Sequence, residues 1–325
     1  MNMTKLSTAV NSKLSSNVIE QLQHKHICTV IQFIDEDSEK LASFTGLSLK
    51  DIIEIKRNIC KKYGGLVKNA FQLFEIEEKN IISTNLSSLD NLLKGGLYCG
   101  QIYEICGLSA SGKTQLCFSI AINIALKSNN LVRYIDTKRD FCGSRIEQIL
   151  LKKNYNKQVI NETMERIKVC CVYNIHQLLK ILHWLSINLK EENEECRTRI
   201  IIIDSLPALI FKFSKDHKTT IILNHLANIC HFLAKEFNLS IISVNLISQW
   251  NNINKEGTSA SSNENINDIL INPTLGKYWA HVPNTRLLLE KQELGNRKIS
   301  IWNSFQLEAD LACTLIINDS GVSCS

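Results

Sequence analysis

Eight consecutive residues, Gly107-Leu-Ser-Ala-Ser-Gly-Lys-Thr114, carry the clearest chemistry in the chain. Their spacing, G-x-x-x-x-G-K-[ST], is that of a phosphate-binding loop. Gly107 and Gly112 permit turns that a Cβ would obstruct. Leu108, Ser109, Ala110 and Ser111 between them aim consecutive N–H groups at phosphate oxygens. Lys113 brings an ammonium to the β- and γ-phosphates, and Thr114 brings a hydroxyl to Mg²⁺.

Such a loop works only between a strand and a helix. Residues 101–106 can form a short buried strand. Residues 115–127 read as a helix with Leu116, Ile120, Ala121 and Ile124 on one apolar face. Further on, Arg199-Ile-Ile-Ile-Ile-Asp204 is a strand too apolar to face water, which makes it central. Asp204 then emerges at the carboxyl edge of the sheet, where ligands of such sheets bind. There it can hold Mg²⁺ through water; the alternative is an Asp that caps the next segment.

Strand-like stretches at 131–136, 167–172 and 239–245 alternate with helical ones at 144–153, 175–192 and 219–237. Three strands joined by short turns close the chain at 285–290, 298–303 and 312–317. Alternation of this kind predicts an α/β core over 81–325, with a mostly parallel sheet flanked by helices. Residues 1–62 read as a small helical domain. Asn17 is expected to cap its first helix, Gly46 to end another, and Ser48 with Asp51 to open the last. Lys56, Arg57, Lys61 and Lys62 cluster at the end of that helix, either as cations favoured at a helix C-terminus or as a DNA or partner contact. Residues 63–80 read as a linker, broken at Gly64-Gly65 and bearing Phe71, Leu73, Phe74 and Ile76 without a helix of their own. These either dock on a neighbour or pack back on the chain.

The composition is that of a globular protein: 44% apolar, 21% charged, net charge +5. No apolar run reaches transmembrane length, so no membrane partner is expected, and residues 1–16 lack a signal-peptide pattern. The twelve cysteines are scattered without a C-x-x-C pair, which predicts reduced core thiols rather than a zinc site. Five of the thirteen glycines fall between Gly95 and Gly112, where the backbone must turn tightly.

Several segments together resemble the RecA-type recombinases, in particular their eukaryotic branch. The run Ser83-Thr-Asn-Leu-Ser-Ser-Leu-Asp-Asn-Leu-Leu-Lys-Gly-Gly-Leu-Tyr-Cys-Gly100 is similar to the family's approach to the loop, and Gly112-Lys-Thr-Gln115 to its form of the loop. Residues 199–205 resemble its strand bearing the Mg²⁺-binding acid. Gly276-Lys-Tyr-Trp-Ala-His281 and Thr285-Arg-Leu-Leu-Leu289 resemble its C-terminal stretch. Gly96-Leu-Tyr98 and Pro273-x-Leu-Gly-x-x-Trp279 point to the D-type paralogue branch.

The resemblance implies a nuclear ATP-binding protein of homologous recombination, with ATP and Mg²⁺ as cofactors. It implies a hetero-oligomer with other recombinase paralogues that supports recombinase filaments on single-stranded or branched DNA. It also implies that Arg145 stacks on adenine, the alternative being a solvated helix residue.

The chain departs from the family at four places. Lys138 stands where the family has a glutamate that activates the attacking water. An ammonium has no lone pair to accept a proton, so no catalytic base is expected and ATPase activity is weak at most. Leu246 replaces a glutamine that relays the γ-phosphate to the DNA loop. That loop, 248–275, carries Lys255 against Glu256, Glu264 and Asp268, with Trp250 as its one stacking candidate. Lys212, Lys215 and Lys218 in the preceding loop are the better backbone contact. Asn303 and Phe305 replace the acid and proline that cap a neighbour's ATP, which disfavours an active homopolymer. Two other readings stay open: an active DNA-stimulated strand-exchange ATPase, with Glu104 as the nearest candidate base, and a structural scaffold whose nucleotide site is vestigial.

Overall fold

A computed structural model describes residues 5–64, 68–127, 130–193, 196–211, 218–250 and 270–324. The chain divides into two compact units, Met1–Phe74 and Glu75–Ser325.

The first unit holds helices α1 (Ser16–His24), α2 (Val30–Asp35), α3 (Ser38–Thr45) and α4 (Leu49–Tyr63). Their starts follow from side chains that accept the free N–H groups of a first turn. Ser15, not Asn17, caps α1, because the helix begins at Ser16. Thr29 and Gln32 form a capping box on α2, and Ser48 accepts from the Asp51 N–H on α4. Gly46 closes α3 at φ 66°. Leu14, Leu22, Phe33, Leu41, Ile52, Ile55 and Ile59 are fully buried between these helices. Lys56 donates to the Glu36 carbonyl and Lys62 to the Ala9 carbonyl. Two of the four clustered cations are thus engaged within the unit.

The stretch read as a linker contains a helix, α5 (Ala70–Lys79). Phe71, Leu73, Phe74 and Ile76 are exposed on it. Their spacing is too irregular to give one apolar face, which is why the sequence did not disclose the helix.

The second unit is built on one sheet. A short antiparallel pair, β1 (Ile81–Ile82) with β2 (Leu97–Tyr98), encloses α6 (Ser87–Leu92). Then come β3 (Ile102–Cys106), α7 (Lys113–Ala125), β4 (Asn130–Asp136), α8 (Gly143–Lys152), α9 (Lys157–Arg166), β5 (Ile167–Cys171), α10 (Ile175–Asn188), β6 (Arg197–Asp204), α11 (Leu206–Ile210), α12 (Lys218–Glu236) and β7 (Ser240–Val244). A hairpin of β8 (Ile247–Trp250) and β9 (Leu270–Pro273) precedes α13 (Gly276–Trp279). The chain closes with β10 (Thr285–Lys291), β11 (Asn296–Ser304), β12 (Ala312–Asn318) and β13 (Gly321–Cys324). Among these, α9 and the β8–β9 pair were not expected from the sequence.

The nine-stranded sheet runs β13-β12-β11-β10-β3-β7-β6-β4-β5. From β10 to β5 every pairing is parallel; from β10 to β13 every pairing is antiparallel. The isoleucines of β6 explain its central place. Ile200 and Ile202 enter one apolar layer with α7 to α9, and Ile201 and Ile203 enter the other with α10 to α12. Each such side chain, fully buried, contributes about 1.5–3 kcal/mol. At the opposite limit β5 is an edge strand, with Lys168, Val169 and Cys171 exposed.

Candidate functional site

The parallel strands end together at one edge, and the phosphate loop leaves that edge after β3. Gly112 has φ 107°, which side chains rarely adopt, and a Cβ there would strike Ile317. A Cβ at Gly107 would strike the Leu289 carbonyl. Gly112 is thus required by its turn, and Gly107 by the backbone carbonyl beside it. The α7 helix begins at Lys113, two residues earlier than the apolar pattern suggested. Its free N–H groups and dipole therefore face the loop.

Lys113 is buried. Its ammonium donates to the carbonyls of Gly107 at 2.9 Å and Leu108 at 2.6 Å, and to Ser111 Oγ at 3.3 Å. Burial, aided by the Lys138 charge, pushes its pKa down to about 8. Neutral oxygens hold this cation in place, and among the described residues no carboxylate pairs with it.

Asp204 ends β6 with its side chain 2% exposed. Its Oδ2 accepts from the Thr114 hydroxyl at 2.7 Å and from the Tyr134 hydroxyl at 3.0 Å. Its Oδ1 takes no hydrogen bond, but the Lys138 ammonium lies 3.1 Å away. Lys138 also lies 3.3 Å from Asp140 Oδ2. Burial disfavours this ammonium, yet the Asp204 carboxylate outweighs that cost and holds the Lys138 pKa above the ordinary value. It is therefore a cation throughout the neutral range.

Local hydrogen bonds explain why Lys138 points there. The Asp136 carboxylate accepts from the N–H groups of Lys138, Arg139, Asp140 and Phe141, folding the chain after β4 into a tight turn. Arg139 takes φ 64° within it. Thr137 locks the turn to the end of β6: its hydroxyl donates to the Ser205 carbonyl and accepts from the Ser205 N–H, each at 2.7 Å.

These parts surround a cavity of about 400 Å³. Of the residues expected from the sequence, Ser109, Ala110, Gly112, Lys113, Thr114 and Lys138 line it, while Gly107, Leu108, Ser111 and Asp204 stand behind. The sequence reading missed Gln115, Val244, Arg297 and Ile317, which also line it. Arg297 donates to the Ser111 carbonyl at 2.8 Å. It is 186 residues away in sequence, and no local motif marks it.

Arg145 does not line the cavity. Its guanidinium joins Gln115 and Gln148 to the carbonyls of Asn318 and Asp319, tying α8 to the β12–β13 turn. Lys212 and Lys215 lie outside the described residues, as do the Lys218 and Trp250 side chains and most of the 248–275 loop. Leu246 lines the cavity with a side chain that cannot bond phosphate. Beside it, Asn245 Oδ1 accepts from the Leu246 N–H at 2.7 Å and from the Thr274 hydroxyl at 2.8 Å. The two ends of the hairpin remain joined there without the glutamine.

Glu104 is unsuited to activate water. It is fully buried, paired with Arg286, and accepts from Asn245 at 2.9 Å and Trp279 at 2.8 Å.

The residues fit a Mg-nucleotide. The loop is a cradle that a Cβ at Gly112 would enter, the Lys113 cation has no carboxylate partner among the described residues, and Thr114 and Asp204 bring hard oxygens together. Among the described residues no helix is long and apolar enough to cross a membrane, and no group of three metal-ligating side chains is gathered elsewhere.

Comparison with known proteins agrees with this geometry. A family profile described as Rad51 matches residues 77–325, and one described as RAD51D, N-terminal domain, matches residues 3–59. DNA repair protein RAD51 homolog 4 of Bos taurus is 27% identical over 286 residues, covering 86% of this chain and 83% of its own. The Mus musculus protein of the same name is 28% identical over 287 residues, covering 86% and 82%. DNA repair protein RAD51 homolog 2 of Mus musculus is 26% identical over 326 residues, covering 90% of each chain. The profile match spans most of the chain and includes every element of the nucleotide site, and the chain belongs to the Rad51 family.

Proposed function

We propose that the chain is an ATP-binding recombinase paralogue of homologous-recombination repair. In this reading it acts in the nucleus as one subunit of a hetero-oligomeric mediator complex that supports recombinase filaments on single-stranded DNA. The observation that carries the reading is the Lys138–Asp204 pair: a site with all the parts for holding a nucleotide and an ammonium in place of a water-activating carboxylate.

In this reading the loop N–H groups and Lys113 bind the phosphates. Thr114 and Asp204 hold Mg²⁺, which when bound neutralises phosphate charge. Lys138 contributes a second, fixed positive charge on the same side. No described side chain at the site is both a free carboxylate and clear of hydrogen bonds, so bound ATP persists. A long-lived bound state suits a nucleotide that orders an interface rather than one that drives a motor.

A partner surface is available at β5. Beside its unpaired edge, β4, β5 and α10 line a cavity of about 340 Å³, with Val169, Cys170, Ile181 and Trp184 next to Arg133 and Lys168. Exposed apolar groups beside a free strand edge favour a protein partner. Asn303 and Phe305 at the far side of the sheet argue that this partner is not an identical copy poised for ATP hydrolysis.

The test is nucleotide binding and turnover by the purified chain, with and without single-stranded DNA, and Lys113→Ala as the blank. Tight binding with slow, DNA-insensitive turnover supports the proposal. Rapid DNA-stimulated turnover would favour a strand-exchange motor. An unchanged partner complex on Lys113→Ala would favour a scaffold.

A further inference from the structure

The half-buried Arg133 and Arg166 and the buried Arg286 of the second unit each have a carboxylate partner, whereas the half-buried Arg145 and Arg297 are held by neutral oxygens. Arg133 meets Glu192 at 2.6 Å, Arg166 meets Glu162 at 3.3 Å, and Arg286 meets Glu104. Among the described residues the side chains of Arg197 and Arg199 have neither a carboxylate partner nor an oxygen acceptor. Both are half-buried at the start of β6, and neither forms an ion pair among the described residues. The one hydrogen bond from Arg199 goes to the Cys99 sulfur at 3.5 Å, a weak acceptor.

They flank Thr198 where the pairing of β6 with β4 shifts register, Leu131 opposite Thr198 and Val132 opposite Ile200, and both line one cavity. Thr198 between them bonds Arg133 and Glu192. Arg197 and Arg199 border a cavity of about 280 Å³ that is also lined by Lys79, Lys127, Asn80 and Asn130. Among the described residues four cations thus line one hollow, and no carboxylate does. Glu77 and Glu78, on the helix that leads to Lys79, are exposed and do not line it.

Half-buried guanidinium groups lose part of their hydration, and without a counter-charge that loss is uncompensated. A hollow with this lining focuses positive potential and selects an anion with several acceptor oxygens. A phosphate offers that, and two guanidinium forks with two lysines lining the same hollow suit successive phosphates of an extended chain. The hollow lies at the amino ends of β4 and β6. The nucleotide site lies at their carboxyl ends, seven residues or about 23 Å further along β6.

We infer that this hollow is a second anion site of the chain, which grips the phosphodiester backbone of single-stranded DNA away from the nucleotide site. The inference rests on the reading of the chain as a protein that contacts DNA in recombination, and it names a surface for that contact.

The test is binding of fluorescein-labelled oligo(dT) to the full chain by anisotropy across a salt series. Two double variants are compared with the wild type: Arg197→Ala/Arg199→Ala, and Lys79→Glu/Lys127→Glu, which changes exposed lysines only. Both should bind ATP as the wild type does, because the nucleotide site is remote. Each should weaken DNA binding at least tenfold, and the salt slope should fall by about 0.7 for every phosphate that the variant no longer neutralises. Unchanged affinity and slope in the lysine variant, with wild-type binding intact, would overturn this inference alone. Failure of the wild-type chain to bind oligo(dT) at low salt would overturn both the inference and the DNA contact in the proposed function. Loss of inorganic-phosphate binding in the variants, with DNA binding untouched, would make the hollow a free-phosphate pocket and overturn the DNA assignment.

Discussion

The Lys138 ammonium lies 3.1 Å from Asp204 Oδ1, while the Thr114 and Tyr134 hydroxyls bond the other carboxylate oxygen. One buried acid is therefore shared between a tethered cation and the hydroxyl expected to hold Mg²⁺. This arrangement stabilises the nucleotide-free chain, because the Asp204 charge is never left alone. It also places an ammonium where the proposed function lacks a proton acceptor.

Lys138→Ala should destabilise the free protein by about 1–3 kcal/mol, the usual consequence of leaving a buried charged acceptor without its partner. Mg²⁺ added with ATP should recover most of that loss. Thermal melting with and without Mg-ATP measures both; equal melting of variant and wild type in the absence of Mg²⁺ would refute the pairing.

Lys138→Glu restores a carboxylate to the turn that Asp136 and Thr137 hold against β6. Turnover should rise, with the general-base contribution of about 10²–10⁴-fold as its ceiling. Steady-state hydrolysis by the pure chain is the measurement, and no change in rate would mean that something other than Lys138 limits it.

Lys113 gives the site a pH dependence. Its pKa is about 8 in the folded chain against 10.5 for an ordinary lysine. Between these values the unfolded chain holds more protons, so this group makes folding stability rise with pH across that window. ATP needs the ammonium, so affinity should fall as pH rises from about 8, and binding there should take up a proton. Calorimetry in two buffers of different ionisation heat detects the uptake; its absence would contradict the depressed pKa.

Glu104 and Arg286 form the most buried ion pair among the described residues, at 0% and 6% exposure. Glu104→Gln or Arg286→Met alone should cost about 3–5 kcal/mol, because each strands a buried charge. The double variant should cost clearly less than the sum. Urea unfolding of the three variants tests this, and additive losses would show that the two residues are not coupled.

Arg145→Ala removes the tie between α8 and the β12–β13 turn. If that tie shapes the purine pocket, ATP affinity should drop about tenfold, or about 1.4 kcal/mol, while inorganic triphosphate binds as before. Equal losses for both ligands would mean that Arg145 supports the phosphate loop instead.

Much of this molecule is set by local order. The loop at 107–114 specifies its own turns through Gly107 and Gly112, and four successive isoleucines before Asp204 force that strand to the centre, since no surface position tolerates them. Ser48 and Gly46 fix helix ends for the same kind of reason, each meeting a need within one turn of chain. That an ammonium stands where a carboxylate was expected could also be read directly from Lys138, and Asp204 holds it charged. Other features could not be read because they depend on groups far apart in sequence. Arg297 reaches the phosphate loop only once β11 folds beside it. Glu104 was a possible base until Arg286, Asn245 and Trp279 closed around it. Arg197 and Arg199 share a hollow with Lys79 and Lys127 only once the fold brings them together. Residue type and spacing determined which chemistry was possible; the tertiary structure, by setting burial and charge partners over long range, decided which groups are free to perform it.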